Sequence, residues 1–168
     1  NTVGVLDANG NLINSWGSQG TGDGQFGTIP FGMALDSAGN VYVTDTGNNR
    51  IQKFDASGNF ITKWGSQGSG DGQFNSPAKV AVDSAGNVYV TDLSNSRVQK
   101  FDSNGNFIEK WGSQGTGDGQ FNGPFGVAVN SSGQVYVADA DNHRVQKFGQ
   151  AYAFSGFFQP VDNPPTVN

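Results

Sequence analysis

The sequence predicts an all-β chain built as a β-propeller of four-stranded blades, and three observations predict it. A pattern repeats at a fixed period: Trp16, Trp64 and Trp111 stand 48 and 47 residues apart, and Asp45, Asp92 and Asp139 stand 47 apart. Each unit breaks into four short segments rich in β-branched and aromatic residues. Glycine punctuates the segments, at 26 of 168 residues, and no stretch carries helical periodicity. Four strands per unit of roughly 40–47 residues is the pattern of a propeller blade.

The elements follow in order within one unit. Strand a is Gly32 to Asp36, and Gly39 lets the next turn adopt a positive φ. Strand b, Val41 to Asp45, is β-branched and aromatic. The loop Thr46 to Asn49 leads to strand c, Arg50 to Phe54; a second turn, Ala56 to Asn59, leads to strand d, Phe60 to Trp64. A glycine-rich crossover from Gly65 to Gln73 then ends at Phe74. Residues 30–76 and 77–123 are identical at 34 of 47 positions, and the irregularity is one extra residue between Phe26 and Pro30.

A lone four-stranded sheet cannot bury both faces, so the blades must stack. Phe26, Phe74 and Phe121 are expected to anchor the crossovers between blades, and Trp16, Trp64 and Trp111 to pack between blades rather than to stack on sugars. The units divide as residues 1–16, a half blade of strands c and d; 17–64, 65–111 and 112–158, three blades; and 159–168, a proline-rich linker or tail. The last strand of the third blade is degenerate, with Phe154 and Phe158 at the positions of Phe107 and Trp111.

Composition narrows the function classes. The formal net charge is −5, which argues against a nucleic-acid partner. There is no apolar run long enough to insert into a membrane. Cysteine is absent, which removes disulfides and thiolate chemistry, and His143 is the one histidine, so no histidine cluster can form. The expectation is therefore no catalytic residues, no metal and no cofactor.

Several stretches together resemble NHL repeats: Pro124 to Val129, Gly39 to Asp45, Asn48 to Arg50, Arg97 to Asp102 and Trp64 to Gly68. The resemblance covers residues 1 to about 158. It implies a propeller, in most members six-bladed, serving as a protein-interaction platform, an RNA binder, an extracellular sensor or, in one branch, a peptide-amidating lyase. Six units at this period need roughly 280 residues. Two expectations stay open: the ring is completed by further blades, or a second copy of the chain closes it. The tail resembles the lead-in to immunoglobulin-like modules of surface proteins, so the expected setting is a non-catalytic binding or scaffold module, extracellular or at the cell surface; the alternatives are a self-assembling structural repeat unit and a fragment of a propeller lyase or lactonase whose metal site lies in further blades.

The residues that recur and the residues that vary carry different readings. Asp45 with Arg50, Asp92 with Arg97 and Asp139 with Arg144 recur across every b–c loop and are expected to fix it. Asn48, Asn95 and Asn142 act as turn formers beside them. Asp23, Asp71 and Asp118 recur one per crossover, as structural loop residues rather than calcium ligands. Lys53, Lys100 and Lys147 are expected as solvated edge charges, and Asn130-Ser131-Ser132 matches a glycosylation triplet. The units differ at the b–c loops and at the starts of strand a, which share one end of each blade. Phe31, Lys79, Leu93, Phe125, Asp141 and His143 are thus the candidate contacts, for a protein or glycan ligand or for copies of the chain itself.

Overall fold

The computed structural model describes residues 1–149. Phe154, Phe158 and the proline-rich tail lie outside them. The half blade is the pair β1 (Val3–Leu6) and β2 (Leu12–Trp16). The first blade is an antiparallel meander of β5 (Pro30–Leu35), β6 (Val41–Asp45), β7 (Arg50–Phe54) and β8 (Phe60–Trp64), reached through β3 (Ser18–Gln19) and β4 (Gln25–Phe26). The second blade is β9 (Pro77–Val82), β10 (Val88–Asp92), β11 (Arg97–Phe101) and β12 (Phe107–Trp111). The third comprises β13 (Pro124–Val129), β14 (Val135–Asp139) and β15 (Arg144–Phe148).

Two details differ from the expected layout. Strand a begins at Pro30 and ends at Leu35, because Pro30 already pairs with Asp45 across a bulge. The crossovers also carry strand structure: β3 and β4 pair in parallel, and Gln67–Phe74 and Gln114–Phe121 repeat that bridge. The loop thereby satisfies part of its own backbone before it enters the next blade.

Side-chain alternation explains how each blade buries two faces. In β6, Val41 and Val43 point back and pack with Phe26, Phe54 and Val3 of the half blade. Tyr42 points forward and joins Ile51, Phe74, Val80, Val88, Val90 and Phe101. Tyr89, Val98 and Trp111 meet Phe121, Val135, Val137 and Phe148 in the same way one blade later. Strands b of the first two blades are consequently buried along their whole length. Phe26, Phe74 and Phe121 are fully buried wedges between successive blades, each contributing about 2–3 kcal/mol by burial.

The tryptophans close the outer side of each seam. Trp16 meets Phe54 at 5.8 Å and Trp64 meets Phe101 at 5.8 Å, each ring lying on the next blade. A Cβ on Gly105 would sit 2.5 Å from Trp64, so the c–d turn of the second blade needs glycine both for its φ of +88° and for the indole.

Strand a is innermost. Phe31 of the first blade and Phe125 of the third touch edge to face at 5.2 Å, passing over the second blade. Blades that are not neighbours thus meet where their inner ends converge. Inner strands are also laced to neighbours: Thr44 donates to Ala78 O at 2.9 Å and Thr91 to Phe125 O at 2.9 Å.

Candidate functional site

The b–c end of each blade is built on one buried carboxylate. In the second blade Asp92 is fully buried, and Arg97 Nε donates to its Oδ2 at 2.7 Å. Asn95 donates to the same oxygen at 2.8 Å and to Gly68 O at 2.9 Å. The guanidinium continues outward to Ser69 O, Gly70 O and Gln73 O at 2.7–2.9 Å. Asp92 Oδ1 accepts the Asn75 N–H at 2.7 Å. One aspartate thus joins strand b, the b–c loop and the preceding crossover. Asp45 with Arg50 and Asp139 with Arg144 reproduce the ion pair at 2.7 and 2.8 Å. Burial pushes the Asp139 carboxyl up, but hydrogen bonds from Asn142 and the Asn122 N–H, with Arg144 beside them, outweigh it and hold it below the usual carboxylate value.

Gln52, Gln99 and Gln146 complete this corner and were not read from the sequence. Gln99 is fully buried; its amide donates to Gln73 O at 2.6 Å and its oxygen accepts the Gly72 N–H at 3.0 Å. The available signal was a glutamine two residues after every loop arginine. A polar residue held at one position of a buried strand must have fixed partners.

The rigid corners carry the variable residues. Phe31, Lys79 and Phe125 come together: the Lys79 ammonium lies 5.4 Å from one ring centroid and 5.8 Å from the other, and donates to Phe31 O at 2.9 Å. The exchange of Phe-Gly for Ala78-Lys79 in the second blade makes this possible. Ala78 is small and buried, and a Cβ on Gly32 would lie 3.0 Å from the Lys79 stem. Beside this cluster an open groove of about 430 Å³ runs between the second and third blades. Leu93, Ser94, Ser96, Asn122, Phe125 and Asp141 line it. Phe125 therefore belongs to both features. His143 does not line this groove; it caps the 3₁₀ turn Ala140–Asn142 in the b–c loop with φ +52°, where Asn49 and Ser96 stand in the other blades.

The remaining candidates fall elsewhere. Asp23 and Asp71 each pair with an exposed lysine, Lys63 and Lys110, at 2.6 Å, tying a crossover to the outer strand of the blade it enters. The Asn130 amide donates to Gln134 Oε1 at 2.9 Å. Lys53 is not a solvated edge charge: strand c lies inside the sheet, and Lys53 is buried over the Tyr42 ring, bonded to Ser103 O of the next blade at 3.1 Å. Among the described residues no three His, Cys, Asp or Glu side chains gather as a metal-ligand set, and no helix is long and apolar enough to cross a membrane.

The opposite end of the blades is built on a five-residue turn. Asp36 Oδ1 accepts the N–H groups of Ala38 and Asn40, and Oδ2 accepts the Asn40 amide at 2.8 Å. Asp7, Asp55, Asp83 and Asp102 do the same with Asn11, Asn59, Asn87 and Asn106. Asn130 and Gln134 replace that pair in the third blade.

Residues 29–54, 74–101 and 121–148 match the family model described as NHL repeat. The chain carries three NHL repeats. Each match begins at or just before strand a and ends at the phenylalanine closing strand c. No curated protein matches the chain in sequence. Among solved structures, virginiamycin B lyase from Staphylococcus aureus, a catalytically inactive variant with quinupristin, is similar with a TM-score of 0.65 at 15% identity, over 98% of this chain and 49% of that one. A streptogramin B lyase aligns with a TM-score of 0.56 at 20% identity, over 80% of this chain and 41% of that one. The dihydro-heme d1 dehydrogenase NirN aligns with a TM-score of 0.65 at 12% identity, over 95% of this chain and 32% of that one. The NHL chain thus spans half or less of the length of these proteins.

These similarities correct one expectation. The composition argument took the chain as non-catalytic, yet these three structures that share its fold are enzymes. A histidine count describes one kind of site, and an NHL-type propeller is a scaffold on which sites of other kinds are built.

Proposed function

We propose that this NHL propeller is a recognition module of a secreted or surface protein, taking a protein or glycan ligand at the b–c end of its blades. The observation that carries the reading is the division of labour between two sets of residues. The Asp-Asn-Arg-Gln corner is the same in every blade, while Lys79, Leu93 and Asp141 differ from their counterparts in both other blades, Phe31 and Phe125 stand where the second blade has Ala78, and these five converge on one cluster and one groove. A rigid frame presenting varied side chains is how binding surfaces are built. Phe125 and Leu93 supply apolar area; Ser94, Asn122 and Asp141 supply hydrogen-bonding groups.

The test is a screen of the purified chain on a glycan array and a displayed-peptide library. It is run beside a variant carrying Leu93→Glu and Phe125→Glu, and a control carrying Ala38→Glu and Ala85→Glu at the other end. Signals that vanish in the first variant and persist in the control support the reading. Signals retained in the first variant, or lost equally in both, overturn it.

A second reading is favoured by the fold similarity alone: a catalytic propeller, as in the lyases. Its test is incubation with quinupristin, the compound in the virginiamycin B lyase complex, followed by mass spectrometry.

A further inference from the structure

We propose that the Lys79 cluster and the adjoining groove form one site for a carboxylated carbohydrate, an oligosaccharide containing a uronic-type acid. This rests on the reading of the b–c end as a recognition face and names the ligand class for it.

The first argument is charge. Seven of the nine lysines and arginines of the chain are paired with carboxylates in the described residues. Lys79 is not in any of these ion pairs. Among the described residues its ammonium donates one hydrogen bond, to Phe31 O, and an ammonium has three donors. Its stem lies on the Gly32 backbone and its head is flanked by two rings, so the charge is held at a fixed point. A positioned, uncompensated ammonium suits a single carboxylate, as a charge-assisted hydrogen bond.

The second argument is the composition of the groove. Ser94, Ser96 and Asn122 offer both donors and acceptors, and Asp141 adds an acceptor at the rim. A ligand bristling with hydroxyls matches this mixture of hydroxyls, an amide and one carboxylate, since each sugar hydroxyl both donates and accepts. The Phe125 ring, shared between cluster and groove, offers an apolar platform to the C–H face of a pyranose. A ligand with its carboxylate on Lys79 then lays the adjacent sugar across Phe125 and its hydroxyls among Ser94, Asn122 and Asp141.

The net charge of −5 sharpens the test. An acidic chain repels polyanions in general, so saturable binding of one marks a specific site rather than diffuse attraction.

The probes are a galacturonic acid tetramer, the same tetramer with its carboxyls reduced to alcohols, and a tetraglutamate peptide. Titration calorimetry is run at two salt concentrations on the full chain. The expected result is saturable binding of the acidic sugar, at least tenfold weaker for the reduced sugar. Lys79→Met keeps the stem over Gly32 and removes the charge; it should weaken the acidic sugar about tenfold and leave the reduced sugar unchanged. Phe125→Leu should weaken both sugars. Equal binding of both sugars overturns the acid-specific site but leaves a glycan-binding face. Stronger binding of tetraglutamate overturns the sugar class but leaves a recognition face. Binding of no probe, with folding verified by circular dichroism, overturns this inference, and the array screen then judges the face on its own.

Discussion

Arg97 and Asp92 close the two ends of the loop between β10 and β11, and their 2.7 Å ion pair is buried at the blade corner. Removing Asp92 would strand a guanidinium in a site that excludes water. Asp92→Ala should cost about 3–5 kcal/mol, the usual result of breaking a buried pair from one side. Asp71→Ala, which breaks the exposed pair with Lys110, should cost under about 1 kcal/mol. Urea unfolding of the two variants checks this; equal costs would mean that the corner is not the anchor.

The extra residue before the first blade has a structural counterpart in Gly47. A Cβ there would lie 2.5 Å from the Thr28 nitrogen, whereas Ser94 and Asp141 occupy the same place in the other blades. Gly47→Ser should therefore destabilise by about 1–3 kcal/mol through overpacking. Replacing Gly27-Thr28-Ile29 with the two-residue linker Asn-Gly, as at Asn122 and Gly123, should restore stability to that variant in thermal melts.

Phe74 and Phe31 separate a seam residue from a surface one. Phe74 is fully buried, while Phe31 is 41% exposed. Phe74→Ala should lose about 3–5 kcal/mol. Phe31→Ala should lose about 1 kcal/mol or less. Denaturation midpoints of the two variants give the comparison.

The turn aspartates predict an acid limb in stability. Hydrogen bonds from the Asn59 and Asn106 side chains, then their backbone N–H groups, hold Asp55 and Asp102 below the usual carboxylate value. A depressed folded pKa adds stability that is complete above the unfolded value, about 3.9, and is lost as pH falls through the folded one. Stability should be flat near neutral pH and fall below about pH 4. Exchanging both Asp-Asn pairs for Asn-Gln, the pair already present at Asn130 and Gln134, should make the limb shallower in melts taken from pH 7 to pH 2.5.

The blade plan was legible in the sequence because it rests on local rules. Strands b, c and d lie where alternating and β-branched residues put them, since turn chemistry and side-chain period act over a few residues. The burial of Phe26, Phe74 and Phe121 followed from the repeat, because a sheet that must stack needs apolar residues at each seam. Gln99 and Lys53 were not legible. Their partners, Gln73 O and Ser103 O, are backbone atoms 26 and 50 residues away, and backbone carbonyls leave no mark in a sequence.

The convergence of Phe31, Lys79 and Phe125 was likewise a matter of tertiary structure. Sequence comparison marked the start of strand a as variable, but the meeting of these three residues depends on how sharply three stacked blades turn about the axis. That angle is set by the packing of whole sheets. The sequence by itself determined the repeat, the strands and the end of the blades where variation collects. Only the tertiary structure decided which of those varied residues touch, because contact between non-neighbouring blades is a property of the arc and not of any one repeat.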